Sequence, residues 1–211
     1  MARLRIVPCA DGEETAAEVW RALALPRDKA AALGFSALHA SREGRYPSPR
    51  GQSVEIGAWV EAAIAAKSSL PPDAPLPPRQ RERFAEMTVA VANETTMSAG
   101  RRLSDAGYPT LALNFANGVN PGGGFLAGAR AQEEVLCRSS ALIAEAYAYE
   151  ALVLGAWGCG AFGNDPARTA HDFREALNGP FLGAFKEVVF AIADWSPERR
   201  FLGPFRDAFE G

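Results

Sequence analysis

Four short apolar runs constrain this chain more than any other feature: MTVAVAN (87–93), TLALNFAN (110–117), the start of ALVLGAWGCGAFG (151–163) and KEVVFAIAD (186–194). Stretches with helical spacing separate them. TTMSAGRRLSDAG (95–107) offers Thr95 or Thr96 as N-cap and Gly107 as a stop, a helix starts near Glu133 with Leu136, Ile143 and Tyr147 near one face, and ARTAHDFREALN (167–178) reads as another. Parallel strands need a crossover connection, and a helix supplies it, so the alternation predicts an α/β layer with a largely parallel or mixed sheet.

The first third reads differently. Residues 13–43 are rich in alanine, with apolar positions at helical spacing such as Ala16, Val19, Trp20, Leu23, Leu33, Ala37 and Leu38, which predicts helices. GRYPSPRG (44–51) is a turn-rich loop, and SVEIGAWVEAAIAAK (53–67) a short strand or extended entry into a helix. The prolines of SSLPPDAPLPPR (68–79) continue neither a helix nor a central strand, so this segment reads as an extended linker. The expected organisation is a helical extension with its linker over 1–79 and an α/β domain over 80–211.

At 211 residues and 48% hydrophobic content the chain can bury one sizeable core. A formal net charge of −3 and a pI near 5.5 leave no basic footprint for nucleic acid or an anionic membrane, so neither partner is expected and a monomer is. No apolar stretch approaches the roughly 18 residues of a membrane helix, and the first residues carry no signal-peptide pattern. Cys9, Cys137 and Cys159 match no metal-ligand spacing, and His39 and His171 lie far from any cysteine pair, so no metal site is expected and a reducing cytoplasm is the natural compartment. Cys159, between Gly158 and Gly160 with no histidine nearby in sequence, reads as a packed thiol rather than a nucleophile.

Two glycine-rich loops follow apolar runs directly, NFANGVNPGGG and GAWGCGAFGNDP. In open α/β sheets the ligand crevice lies beyond the carboxyl ends of the strands. Glycines there let the backbone approach a ligand closely, and successive N–H groups form a nest for an anion such as a diphosphate. Neither loop fits the dinucleotide or P-loop fingerprint. A seven-residue spacer, Phe125 to Ala131, separates the glycine run from Gln132, Glu133 and Glu134. Adjacent side chains on a helix diverge by about 100°, so the two cannot flank one bond as paired glycosidase carboxyls do. At most one is expected at a reacting bond. Both also fit a solvated first turn whose charge complements the helix dipole, and the residues alone leave that open. Phe162 is either a core plug or a lid over a sugar ring.

Gly122-Gly123-Gly124 followed by Gln132-Glu133-Glu134 resembles the poly(ADP-ribose) glycohydrolase signature. NETTMSAGRRL, LNFANGVNPGGGFLAGARAQEEVLCRSS and LVLGAWGCGAFGNDP are similar to the microbial-type members, and with EGRYPSPRG the likeness runs from about residue 16 onward. The resemblance implies a macrodomain-like three-layer α/β/α sandwich with a mixed sheet, an N-terminal helical extension, and no cofactor or metal. By the same likeness Glu134 is the catalytic glutamate, protonating the departing ribose hydroxyl and then activating water, while Glu133 holds the ribose diol. Asn117 would contact the distal ribose. Gly122, Gly123 and Gly124 would shield it, next to Gln132. Gly158, Gly160, Ala161 and Gly163 would cradle the diphosphate, with Phe162 beside the ribose. One departure stands out: only ALIAEAYAYEA (141–151) separates CRSS from LVLGAWGCG, where the family usually carries a longer stretch with a strand. An edge beside TLALNFAN is therefore expected to lack a neighbour.

The implied activity is exo-acting release of ADP-ribose from poly(ADP-ribose) on modified proteins. An ADP-ribose-binding reader with little or no turnover is the alternative from the binding class. A third reading moves hydrolysis to ADP-ribosylated nucleotides or nucleic acid, against which the low basicity argues.

Overall fold

The computed structural model describes residues 2–66, 83–116, 120, 122–139, 150–160 and 162–211. Its packing forms two compact units, neither continuous in sequence: Met1–Ala24 with Pro78–Phe115 and Ala148–Gly211, and Leu25–Pro77 with Ala116–Tyr147. The linker expected at 68–79 lies outside the described residues, as do Ile143, Tyr147 and nearly all of the shortened stretch 141–151.

The first unit is built on five strands, β1 (Arg3–Ile6), β4 (Glu86–Ala92), β5 (Thr110–Ala112), β6 (Ala151–Leu154) and β7 (Glu187–Ala191), in the order β1-β4-β7-β6-β5. Every pairing among them is parallel, the parallel end of the sequence expectation. Alternate residues of β7 serve opposite faces. Val188 and Phe190 join Met87, Val89 and Val91 of β4 beneath α6 (Pro166–Asn178) and α7 (Leu202–Glu210), where Ala170, Leu177, Leu202, Phe205 and Phe209 are buried. Val189 and Ala191 face the other way, onto Ala99 and Leu103 of α4 (Thr96–Asp105). The result is helices on both faces of one sheet, and the double burial of β4 and β7 explains their nearly unbroken apolar sequences. Phe190 anchors one face, its ring 4.8 Å from Phe209, 5.2 Å from Phe205 and 5.3 Å from Phe173.

The helix ends are written locally. The Thr95 hydroxyl accepts from Ser98 N at 3.1 Å and Gly107 turns with φ +87°, as the sequence signals require. Asp165 caps α6 through Arg168 N, with Pro166 in the first turn. α1 (Glu13–Leu23) belongs to this unit too. Two elements have no counterpart in the sequence reading, β1 and α7. The chain before residue 13 therefore supplies an edge strand of the sheet. At the opposite edge β5 pairs only with β6 among the described residues.

A buried polar lock closes the carboxyl end of this sheet. Asn93, 1% exposed, follows β4 and donates to Asp11 Oδ1 at 2.8 Å and to Asp194 O at 2.6 Å, while its own Oδ1 accepts from Asp194 N at 3.0 Å. The Asp194 carboxylate accepts from Ser196 N and Oγ, Phe201 N and Leu202 N. Arg199 reaches back to Asp11 Oδ2 at 2.7 Å. Burial alone would raise the Asp194 pKa; the Ser196 hydroxyl and the N–H groups of Leu202, Phe201 and Ser196 outweigh it and hold the carboxyl below its ordinary value. Asp11 behaves likewise, with Arg199 and Asn93 overcoming burial.

A carboxyl depressed in the folded state stabilises above its unfolded pKa, and that stability is lost as pH falls through the folded value. Asp194→Ala strands these donors in the interior and is expected to cost about 2–4 kcal/mol at neutral pH. In urea unfolding monitored by circular dichroism, the gap from wild type should narrow below about pH 4. A gap independent of pH would refute the lock.

The second unit holds α2 (Arg27–Glu43), the antiparallel pair β2 (Arg45–Pro47) and β3 (Ser53–Glu55), α3 (Gly57–Ala65), a 3-10 turn at Phe125–Ala127 and α5 (Gln132–Ser139). The turn-rich GRYPSPRG thus begins a small hairpin, entered through Gly44 at φ +68°. None of the described helices is long and apolar enough to cross a membrane.

Candidate active site

In the second unit the triple glycine folds back over the first turn of α5. Gly122 and Gly123 have φ of +82° and +54°, a backbone course that L side chains rarely take. The turn aims two amides at the adjacent carboxylates: Gly122 N donates to Glu133 Oε1 at 2.8 Å and Gly124 N to Glu134 Oε1 at 3.0 Å. The two side chains diverge from the helix, yet the loop crosses in front of it and meets both. Gly123 sits between them. A Cβ there would collide with Glu134 Oε1, stand 3.0 Å from Glu134 Cδ and 3.3 Å from Glu133 Oε2.

Both carboxylates are therefore buried, Glu133 5% and Glu134 8% exposed, and are not the solvated first turn that the residue pattern had left open. Their environments differ. Among the described residues no donor meets Glu134 Oε2, although the atom is sealed from solvent. Burying an acceptor without a partner costs free energy, and native interiors rarely retain one without a function. The arrangement presents one oxygen held by a backbone amide and a second free to exchange a proton with a reacting group.

Gln132 opens α5 and is half-buried. Asn117 and Ala161 lie outside the described residues. Gly158, Gly160, Phe162 and Gly163 form a turn after β6 in the first unit. Gly158, at φ +72°, lies against the Asn164 side chain, whose Nδ2 donates to Trp157 O at 3.3 Å, and Asn164 N donates to Gly158 O at 2.9 Å. Asn164 is a residue that the sequence reading passed over. Gly163 N donates to Gly160 O at 3.1 Å, while a Cβ on Gly160 would meet nothing within 4 Å. Packing does not demand a glycine there, which leaves open access to the backbone as its use. Phe162 is 68% exposed and so is no core plug. Burial pushes the Cys159 thiol up, against a lowering hydrogen bond with Thr169, and it packs as a small apolar group.

The contacts that hold the catalytic-looking loop were invisible in sequence. Arg27 Nε donates to Ala127 O and Arg130 Nη1 to Leu25 O, each at 2.9 Å. The signal that could have found them is Gly34, a poor helix former in the middle of α2.

No curated protein matches the chain. Its fold is similar to crystal structures of poly(ADP-ribose) glycohydrolase (PARG) from Thermomonospora curvata: one matches at 27% identity and TM-score 0.75, and one bound to the inhibitor ADP-HPD at 28% and 0.73, each covering 86% of this chain and 100% of that one. The Deinococcus radiodurans enzyme in complex with ADP-ribose matches at 30% identity and TM-score 0.52, over 63% of this chain and 86% of that one. The family model for the catalytic domain of microbial-type PARG matches residues 36–152, which span the triple glycine and both buried carboxylates. The chain belongs to the microbial-type PARG catalytic-domain family.

Proposed function

We propose that the chain hydrolyses the ribose–ribose O-glycosidic bond of poly(ADP-ribose), with Glu134 as the proton-transferring group. The observation that carries this reading is the orphaned, buried Glu134 Oε2 beside a glycine loop that fixes the other oxygen of the same carboxylate. In the proposed step, protonated Glu134 gives its proton to the departing ribose oxygen as the glycosidic C–O bond breaks. Positive charge builds on the anomeric carbon, water adds there, and Glu134 takes the proton that the water loses. The substrate's own diphosphate offsets part of that charge, so the chemistry asks for no metal.

Glu133, fixed by Gly122 N, is assigned to the ribose diol, and Gly122, Gly123 and Gly124 to the face of that ribose. Asn117 and Gln132 are assigned to the same sugar. Gly158, Gly160, Ala161 and Gly163 are assigned to the diphosphate, with exposed Phe162 available to cover a ring. The relatives solved with ADP-ribose and with ADP-HPD support that ligand class. Cys9 and Cys159 form no disulfide, and burial raises both thiols, with Glu210 and Asp11 helping to push Cys9 up to about 11; such unreactive thiols fit the reducing cytoplasm.

The test is paired. ADP-ribose should raise the melting temperature with increasing concentration, and poly(ADP-ribose) should be degraded to free ADP-ribose. Binding without release would make the protein a reader, and the absence of both binding and release would discard the proposal.

A further inference from the structure

Resting on the catalytic reading of Glu134, we infer that Phe125 and the face of α2 behind it are positioning elements for the reaction, a splint that holds the glycine loop against the two carboxylates. Phe125 is seated between two glycines. On one side a Cβ at Gly34, in the middle of α2, would stand 2.8 Å from Phe125 O, 3.1 Å from its Cδ2 and 3.3 Å from its carbonyl carbon. On the other side a Cβ at Gly122 would stand 3.2 Å from both Cδ1 and Cε1 of the same ring. Glycine is unfavourable inside a helix, so its presence at a buried position of α2 needs a packing reason, and the close approach of Phe125 supplies one.

Three further ties fix the same stretch of chain to the start of α2. Arg27 donates to Ala127 O and Arg130 donates back to Leu25 O. Between them Gly128, at φ +77°, lies against the Arg27 backbone so tightly that any Cβ would collide with it. The loop is thereby tied to α2 as well as to its glutamates. A loop of three glycines has little conformational preference of its own, yet Gly122 N and Gly124 N must stay on Glu133 and Glu134 for the free oxygen of Glu134 to keep its aim. Phe125 touches no reacting atom in this scheme. It sets where the loop stands, and the loop sets where Glu134 points.

The experiment compares Phe125→Leu, Phe125→Ala and the exposed clasp variants Arg27→Ala and Arg130→Ala with wild type, well below every melting temperature. Misplacing a reacting group by about 1 Å costs on the order of 100-fold, so kcat should fall about tenfold in Phe125→Leu and about 100-fold in Phe125→Ala, while KM changes less than about threefold. Each clasp variant should lose roughly fivefold in kcat, a fraction of the same effect. Amide exchange at Gly122 and Gly124 should quicken by about tenfold or more in Phe125→Ala, a signature that loss of bulk packing elsewhere does not produce.

Unchanged kcat with unchanged exchange at both glycines would overturn the splint, as would an effect confined to KM. If Phe125→Ala fails to fold, the clasp variants and Phe125→Leu decide by the same readouts. Wild-type protein without turnover would refute the functional reading instead, and glycine exchange would still judge the splint.

Discussion

Glu134→Gln should release ADP-ribose from poly(ADP-ribose) at no more than about a thousandth of the wild-type rate, the scale on which a single acid–base group acts. The substitution is nearly isosteric. Its carbonyl oxygen can still accept from Gly124 N, so the loop keeps both of its holds, and only the capacity of the second position to hand over a proton disappears. The same change puts an amide NH2 of nearly the same size where a buried oxygen already had no partner among the described residues, so the variant should melt close to the wild-type temperature. Activity would then be lost while stability is kept, as expected where a fold retains a group for chemistry rather than for stability. Glu133→Gln should lose less, about ten- to 100-fold, because the role proposed for that side chain is to orient rather than to transfer. Discontinuous ADP-ribose release assays with calorimetric melting decide the matter, and equal turnover in Glu134→Gln and wild type would end the mechanism.

Gly123→Ala should be nearly as damaging by a different route. At φ +54° an alanine pays on the order of 1–2 kcal/mol in backbone strain. Its methyl would also occupy the space of the Glu134 carboxylate, which cannot swing aside without leaving Gly124 N. The fold should survive with its melting temperature lowered by about 2–8 °C, since 1 kcal/mol shifts a chain of this size by about 2–4 °C. Turnover should fall at least about 100-fold, because the displaced group is the proposed proton carrier. Retention of activity within threefold would show that the loop yields more easily than its geometry implies.

Much of the architecture could be read from residues alone because the central strands are buried on both faces. MTVAVAN and KEVVFAIAD are apolar almost throughout for that reason, and Thr95 and Gly107 mark α4 by capping chemistry that is local in sequence. β1 escaped notice because Arg-Leu-Arg-Ile is half exposed and only four residues long; it becomes a strand through pairing with β4. α7 was missed because Gly203 and Pro204 fall in its first turn, where proline is tolerated but reads as a breaker.

The candidate site divides in the same way. The likeness to the family signature brought the glycines and carboxylates together. It could not reveal that Glu133 and Glu134 are buried, since burial depends on the fold of a loop whose glycines have almost no local preference. Phe125, Arg27 and Arg130 act through long-range contacts with α2 and left no periodic trace.

The parallel order β1-β4-β7-β6-β5 also bears on how this chain reaches its native state. Arg3 of β1 meets Glu86 of β4 across 83 residues, and Asn93 meets Asp194 across 101. Such separations place the closure entropy of long loops ahead of the contacts that repay it, so folding should be slow for the protein's size. During synthesis β4 waits for β7, and the face it shares with Phe190 stays uncovered until Phe205 and Phe209 have left the ribosome. The nascent chain is thus most exposed to aggregation just before α7 emerges, and chaperone dependence should be greatest in that interval.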